Sequence, residues 1–148
     1  MAEKIDHRQL GIDLFNQTWE LIDKPERTQM EIDEMIHMAH ASRFHWGMAG
    51  KALNLQRGEW QISRVYSVLG RHEPAQYHAK RSLEICQEND IGDFDLAFAY
   101  EALARAASIA GDQEVMKENL ALAKAAGEKI AEQDDKEYLF AELENIGA

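Results

Sequence analysis

Two runs of side chains with the chemistry to bind charge recur at one interval along the chain. Arg57, Trp60, Arg64 and Ser67 are spaced three, four and three residues apart. Phe98, Glu101, Arg105 and Ser108 repeat that spacing 41 positions later, so that Arg64 falls on Arg105 and Ser67 on Ser108. On an α-helix this spacing sets each run on one stripe. Two guanidinium forks on neighbouring helices can clamp one carboxylate or phosphate. Trp60 and Phe98 can lay an apolar platform beside it, and Asn54, Arg57 and Glu101 can orient what binds. A structural reading competes with this one. Glu101 and Arg105 form an i,i+4 ion pair, and Glu59 or Asp95 can neutralise Arg64.

A second constellation carries imidazole. Asp33, His37 and His40 stand at i, i+4 and i+7, and Glu34 with His37 makes a single E-x-x-H. His45, His72 and His78 can complete a zinc or iron site from neighbouring elements. A two-metal helical bundle needs a second E-x-x-H, and the zincin motif H-E-x-x-H is absent. Hydrogen-bonded structural or surface histidines account for the same residues. No glycine-rich phosphate loop, G-x-S-x-G elbow or Cys–His nucleophile pair stands out, and no cofactor is implied. Cys86 is the only cysteine, which rules out an internal disulfide, and its place in SLEIC reads as core.

The elements that position these residues are all helical. Asp6 with Gln9, and Thr28 with Glu31, mark helix starts. The predicted helices cover about 8–23, 28–48, 54–70, 72–88, 94–110, 113–133 and 136–146. GMAG closes the second, Asn54 caps the third, Pro74 sits in the first turn of the fourth and Asp112 caps the sixth. No stretch alternates with the period of a strand. Aromatic residues gather in the first five helices, whereas the sixth, LALAKAAGEKIAE, is thin and alanine-rich. Such a helix permits close packing or self-association, so a homodimer is a further expectation.

Composition narrows the function. The chain has 148 residues, 45% of them hydrophobic and 29% charged, as in folded proteins. A formal net charge of −11 argues against nucleic acid and anionic membranes as main partners. The start MAEKIDHRQL has no apolar signal region and no window reaches the length of a membrane span, so a cytoplasmic protein is expected.

Asn54–Gly70 and Asp95–Gly111 superpose at more than the charged positions. Ile62 falls on Leu103, Val65 on Ala106, Val68 on Ile109 and Gly70 on Gly111. A repeat of this period implies stacked helical hairpins. Ser63, Tyr66, Gly70, Ala75, Ala79 and Ser82, then Ala104, Ala107, Gly111, Met116, Leu120 and Ala123, resemble the pattern of tetratricopeptide repeats. The period of 41 is longer than that family's, and its proline is missing. The resemblance covers about 54–132 well and 8–48 poorly. It implies an all-α, tetratricopeptide-like solenoid of about three hairpins with a capping helix: a divergent hairpin over 1–50, repeats over 54–90 and 92–133, and the cap over 134–148. It further implies that the stripes of the third and fifth helices line a concave groove holding a protein or peptide partner. FNQTWELID, AHASRFHW and NLQRGEWQISRVYSVLGR also resemble a family of small uncharacterised bacterial proteins, which implies a bacterial cytoplasm. The expected function is a non-catalytic interaction module for a peptide segment or a small anionic ligand. The alternative is a metal-dependent or ligand-processing enzyme built on His37 and His40.

Overall fold

The computed structural model describes residues 4–147. Among them the chain forms seven helices and no strand: α1 (His7–Ile22), α2 (Gln29–Ala49), α3 (Ala52–Val68), α4 (His72–Glu88), α5 (Asp93–Ala110), α6 (Gln113–Glu128) and α7 (Gln133–Glu144). No helix among these residues is long and apolar enough to cross a membrane.

Local chemistry sets the helix ends. Asp6 accepts the Gln9 N–H at 3.0 Å and starts α1. Thr28 and Glu31 exchange side chain-to-backbone bonds at 3.2 and 2.9 Å and start α2. Hydrogen bonds from Lys24 and from Thr28 draw the Glu31 carboxyl down to about 2. Gly70 and Gly111 end their helices in the left-handed region, with φ of +72° and +78°. The bonds that follow are the same at both turns. Gly70 and Arg71 donate to the Ser67 and Tyr66 carbonyls at 3.1 and 2.9 Å, and Gly111 and Asp112 to those of Ser108 and Ala107 at 3.1 and 2.9 Å. The repeat therefore extends to backbone geometry.

Three helix boundaries depart from the sequence reading. Asn54 does not cap α3. It lies in the first turn and reaches back to the Lys51 N–H at 3.0 Å. α2 runs through Gly47 and stops at Gly50. α6 ends at Glu128, not near 133, and α7 starts at Gln133. Ile130 is buried in the turn between them, and Glu132 accepts the Asp134 N–H at 3.3 Å. Packing, not a breaker residue, ends α6. A Cβ on Gly127 would meet Leu139 Cδ2 at 2.5 Å, so α7 crosses where α6 has no side chain.

Consecutive helices pack against one another, and α1, α3, α5 and α7 also touch in that order. Among the described residues the backbones of α2 and α4, or of α4 and α6, do not come together. The odd helices thus form one continuous layer. α5 sits at its centre and is covered on most sides: Ala97, Ala99, Ala102, Ala104, Ala106 and Ala107 are all buried. One core joins Ala97, Phe98 and Ala104 of α5 to Met116, Ala123, Leu139 and Leu143. A second joins Ile22, Met35, Ala39, Ile62 and Val65.

The left-handed closure at Gly111 gives a direct test. Gly111→Ala should cost about 1 kcal/mol, because an added Cβ disfavours positive φ. Gly92→Ala, at a φ of −112° with open space around it, should change urea stability by less than about 0.5 kcal/mol.

Candidate functional site

α3 and α5 lie side by side, and their stripes meet. Arg57 holds Asp95 in a forked pair, with Nε and Nη2 at 2.9 and 3.1 Å from the two carboxylate oxygens. One turn on, Trp60 stands edge-to-face with Phe98 at 5.8 Å between ring centres and tilted against Trp19 of α1 at 5.6 Å. Phe98 continues the aromatic run to Phe94 at 4.6 Å and to Tyr138 of α7 at 5.4 Å. A further turn on, the Arg64 guanidinium lies 5.4 Å from the Trp60 ring centre.

Arg64 and Arg105 converge, as the repeat alignment requires, but on protein carboxylates. Arg64 Nη2 donates to Glu101 Oε1 and Glu142 Oε2, both at 3.2 Å. Arg105 donates from Nε to Glu101 Oε1 at 2.7 Å and from Nη2 to Glu142 Oε2 at 3.2 Å. Glu101 has no solvent exposure, and Glu142 comes from α7. The four formal charges cancel, so neither guanidinium is free to clamp an added anion. The structural ion-pair reading describes these residues better than the clamp does, and the Glu101–Arg105 pair is present. Arg64, however, is neutralised by Glu101 and Glu142, not by Glu59, which pairs with His78 and Arg43, or by Asp95, which pairs with Arg57. Glu142, absent from the sequence reading, flanks Leu143 on the buried side of α7; two arginines sharing one glutamate were the signal that a second carboxylate was needed.

The remaining stripe residues border open space. Phe15, Trp19, Gln56, Arg57, Trp60 and Phe98 line a cleft of about 500 Å³, with Phe94, Asp93, Asp95, Asp135 and Tyr138 completing its wall and mouth. Asp95, by its hydrogen bond, and Asp135, through space, both raise the Arg57 pKa against partial burial. Burial pushes the Tyr138 hydroxyl above its usual range, and the Glu142 charge adds to the shift. Asn54 lies outside this cleft, in a hollow of about 140 Å³ with Ile12, Asn16 and Trp46. Of the predicted ligand residues, Arg57, Trp60 and Phe98 meet in the cleft. Arg64, Glu101 and Arg105 form the charge lock behind it.

The histidine constellation does not assemble as a metal site. Asp33 is exposed and accepts from Gln29 at 3.0 Å, and His37 points to solvent. Met35, Ala39, Ser42 and Trp46 form the buried face of α2, which turns Asp33 and His37 outward. Only His40 reaches a neighbour: its Nε2 lies 2.9 Å from the Tyr66 hydroxyl. Beside it His78 Nδ1 is 2.6 Å from Glu59 Oε2, and Glu59 pairs with Arg43 at 3.4 Å. Among the described residues no group of three His, Cys, Asp or Glu side chains can hold a metal ion. Cys86 is buried, which pushes its thiol up to about 12, so it is a packing residue and a poor nucleophile.

No protein-family model, curated protein or solved structure matches the chain. The likeness to tetratricopeptide repeats rests on the residues quoted above.

The lock and the Arg57–Asp95 pair should respond differently to substitution. Glu101→Gln leaves two partly buried guanidiniums short of a charge and should cost about 3 kcal/mol in urea unfolding. Arg57→Ala breaks a pair between a half-exposed guanidinium and a largely buried carboxylate and should cost less than that, about 1 to 2 kcal/mol. Acid should act through the second network. Burial, then the charge of His78, hold His40 below its ordinary value of 6.5. Burial raises Glu59, but the His78 hydrogen bond and the charges of His78, Arg43 and Arg81 outweigh it, leaving Glu59 depressed. For both groups the unfolded chain binds more protons, so stability is complete above the unfolded pKa and falls on acidification. Between about pH 7.5 and about pH 5.5 the urea midpoint should drop, and His40→Gln should shrink that drop.

Proposed function

We propose that this chain is a non-catalytic interaction module that holds a short peptide segment in the cleft between α1, α3 and α5. The observation that carries the reading is the aromatic run Trp19–Trp60–Phe98–Tyr138, drawn from four odd-numbered helices onto one cleft of about 500 Å³. Large rings with few rotatable bonds give contact area at low entropic cost, which is why such residues dominate binding surfaces. A tetratricopeptide-like arrangement is supported by the continuous odd-helix layer and the matching turns at Gly70 and Gly111. In this reading the protein works in a bacterial cytoplasm, and its partner is another protein.

The small anionic ligand is the weaker form of the reading. It would have to displace Glu101 or Glu142 from the arginines, and Glu101 has no route to solvent. The enzyme alternative has no observation in its favour, since His37 faces solvent and His40 is engaged by Tyr66.

Selection of random peptides of about 12 residues on the immobilised protein tests the module. Enriched peptides should bind Tyr138→Ala at least about tenfold more weakly, a loss of about 1.4 kcal/mol, with unchanged helix content by circular dichroism. The module reading fails if no sequence is enriched, or if enriched peptides bind the variant as well as the parent.

A further inference from the structure

The charges around the cleft say what kind of group enters it. We infer that the cleft receives a cation on an apolar stem, such as a lysine or arginine side chain of the bound segment; this deepens the peptide-binding reading and rests on it. Two observations converge. First, the walls are aromatic rings, whose faces attract ammonium and guanidinium groups. The protein already uses this pairing where Arg64 lies over Trp60.

Second, the lining carries Asp93, the buried Asp95 and Asp135 against the single guanidinium of Arg57, a formal excess of negative charge. These carboxylates are positioned, not loose. Asp93 accepts the Ala131 N–H at 3.1 Å, which ties the start of α5 to the turn before α7. Asp95 is aligned by the Arg57 fork. That pair also shows that a guanidinium is accepted at this mouth. The Arg57 side chain is 49% exposed, so an incoming cation can compete with it or settle between Asp93 and Asp135.

Buried polar atoms of the lining do not set the sign of the ligand: among the described residues Gln56 Oε1, an acceptor, and Trp60 Nε1–H, a donor, both lack a partner. Charge does: an anion would meet three carboxylates against one guanidinium. The protein's net charge of −11 adds long-range attraction of the same sign preference.

Three probes of one shape separate the possibilities: 4-phenylbutylammonium, 4-phenylbutanol and 4-phenylbutyrate. The readout is the indole N–H resonances of Trp19 and Trp60 in the intact protein, assigned with Trp→Phe variants. Trp46, outside the cleft, is the reference. The ammonium should shift Trp19 and Trp60 to saturation and bind at least about tenfold tighter than the carboxylate, with the alcohol between them. That margin should narrow at about 500 mM salt and in Asp93→Asn/Asp135→Asn. Equal or tighter binding of 4-phenylbutyrate overturns the cation assignment and leaves the cleft reading standing. Shifts confined to Trp46, or no shift with any probe, also overturn it. The peptide selection with Tyr138→Ala judges the cleft reading separately.

Discussion

A carboxylate without solvent exposure is the constraint on which this structure turns. Glu101 lies in the middle of α5 with no contact with water, and only a compensating positive charge makes that tolerable. Arg64 and Arg105 supply it, and Glu142 then balances them. The result joins α3, α5 and α7 through groups that are expensive to separate and poor at sliding. Apolar packing alone would leave the register of alanine-rich α5 weakly defined, because small side chains offer shallow ridges and grooves. Two guanidiniums converging on one oxygen of Glu101 hold it in one position.

The cleft inherits its shape from that lock. Arg64 reaches from the carboxylates to the Trp60 ring, and Trp60 contacts Trp19 on one side and Phe98 on the other. The aromatic wall is therefore fixed from behind by charge and from the sides by rings. On the far side of α3, a second polar layer of Arg43, Glu59, His78, His40 and Tyr66 ties α2 to α4, whose backbones do not touch. α3 is held on both faces by polar groups with defined geometry. Preorganisation of this kind lowers the ordering cost of binding a flexible segment.

Much of this was legible in the chain. Helical spacing and a fixed repeat interval predict that Arg64 and Arg105 emerge side by side, and the turn glycines predict where α3 and α5 stop. These are local signals, written within a few residues of where they act. The failures share a different cause. Glu142 meets Arg64 across 78 positions, and no periodicity in either segment announces that pairing. The run after Gly127 is made of good helix formers, so only the crossing of α7 and the burial of Ile130 reveal that α6 has ended. Asp33, His37 and His40 do share a stripe. Which way that stripe faces is decided by Met35 and Ala39 seeking the core, a competition a spacing rule does not weigh. The acidic lining of the cleft is written in no single stretch, because Asp93 and Asp95 open α5, Asp135 opens α7, and only folding joins them.

The distance between Arg64 and its second carboxylate has a bearing on how the chain assembles. α3, α4 and α5 can find one another early, through contacts between near neighbours in sequence. At that stage two guanidiniums share one glutamate, and a positive charge stands half-desolvated at the seam. Arrival of α7 discharges it, at the same moment that Leu139 covers Gly127. One helix thus carries both closures, the carboxylate that balances two guanidiniums and the side chain that covers Gly127, so losing α7 would open charge and packing together.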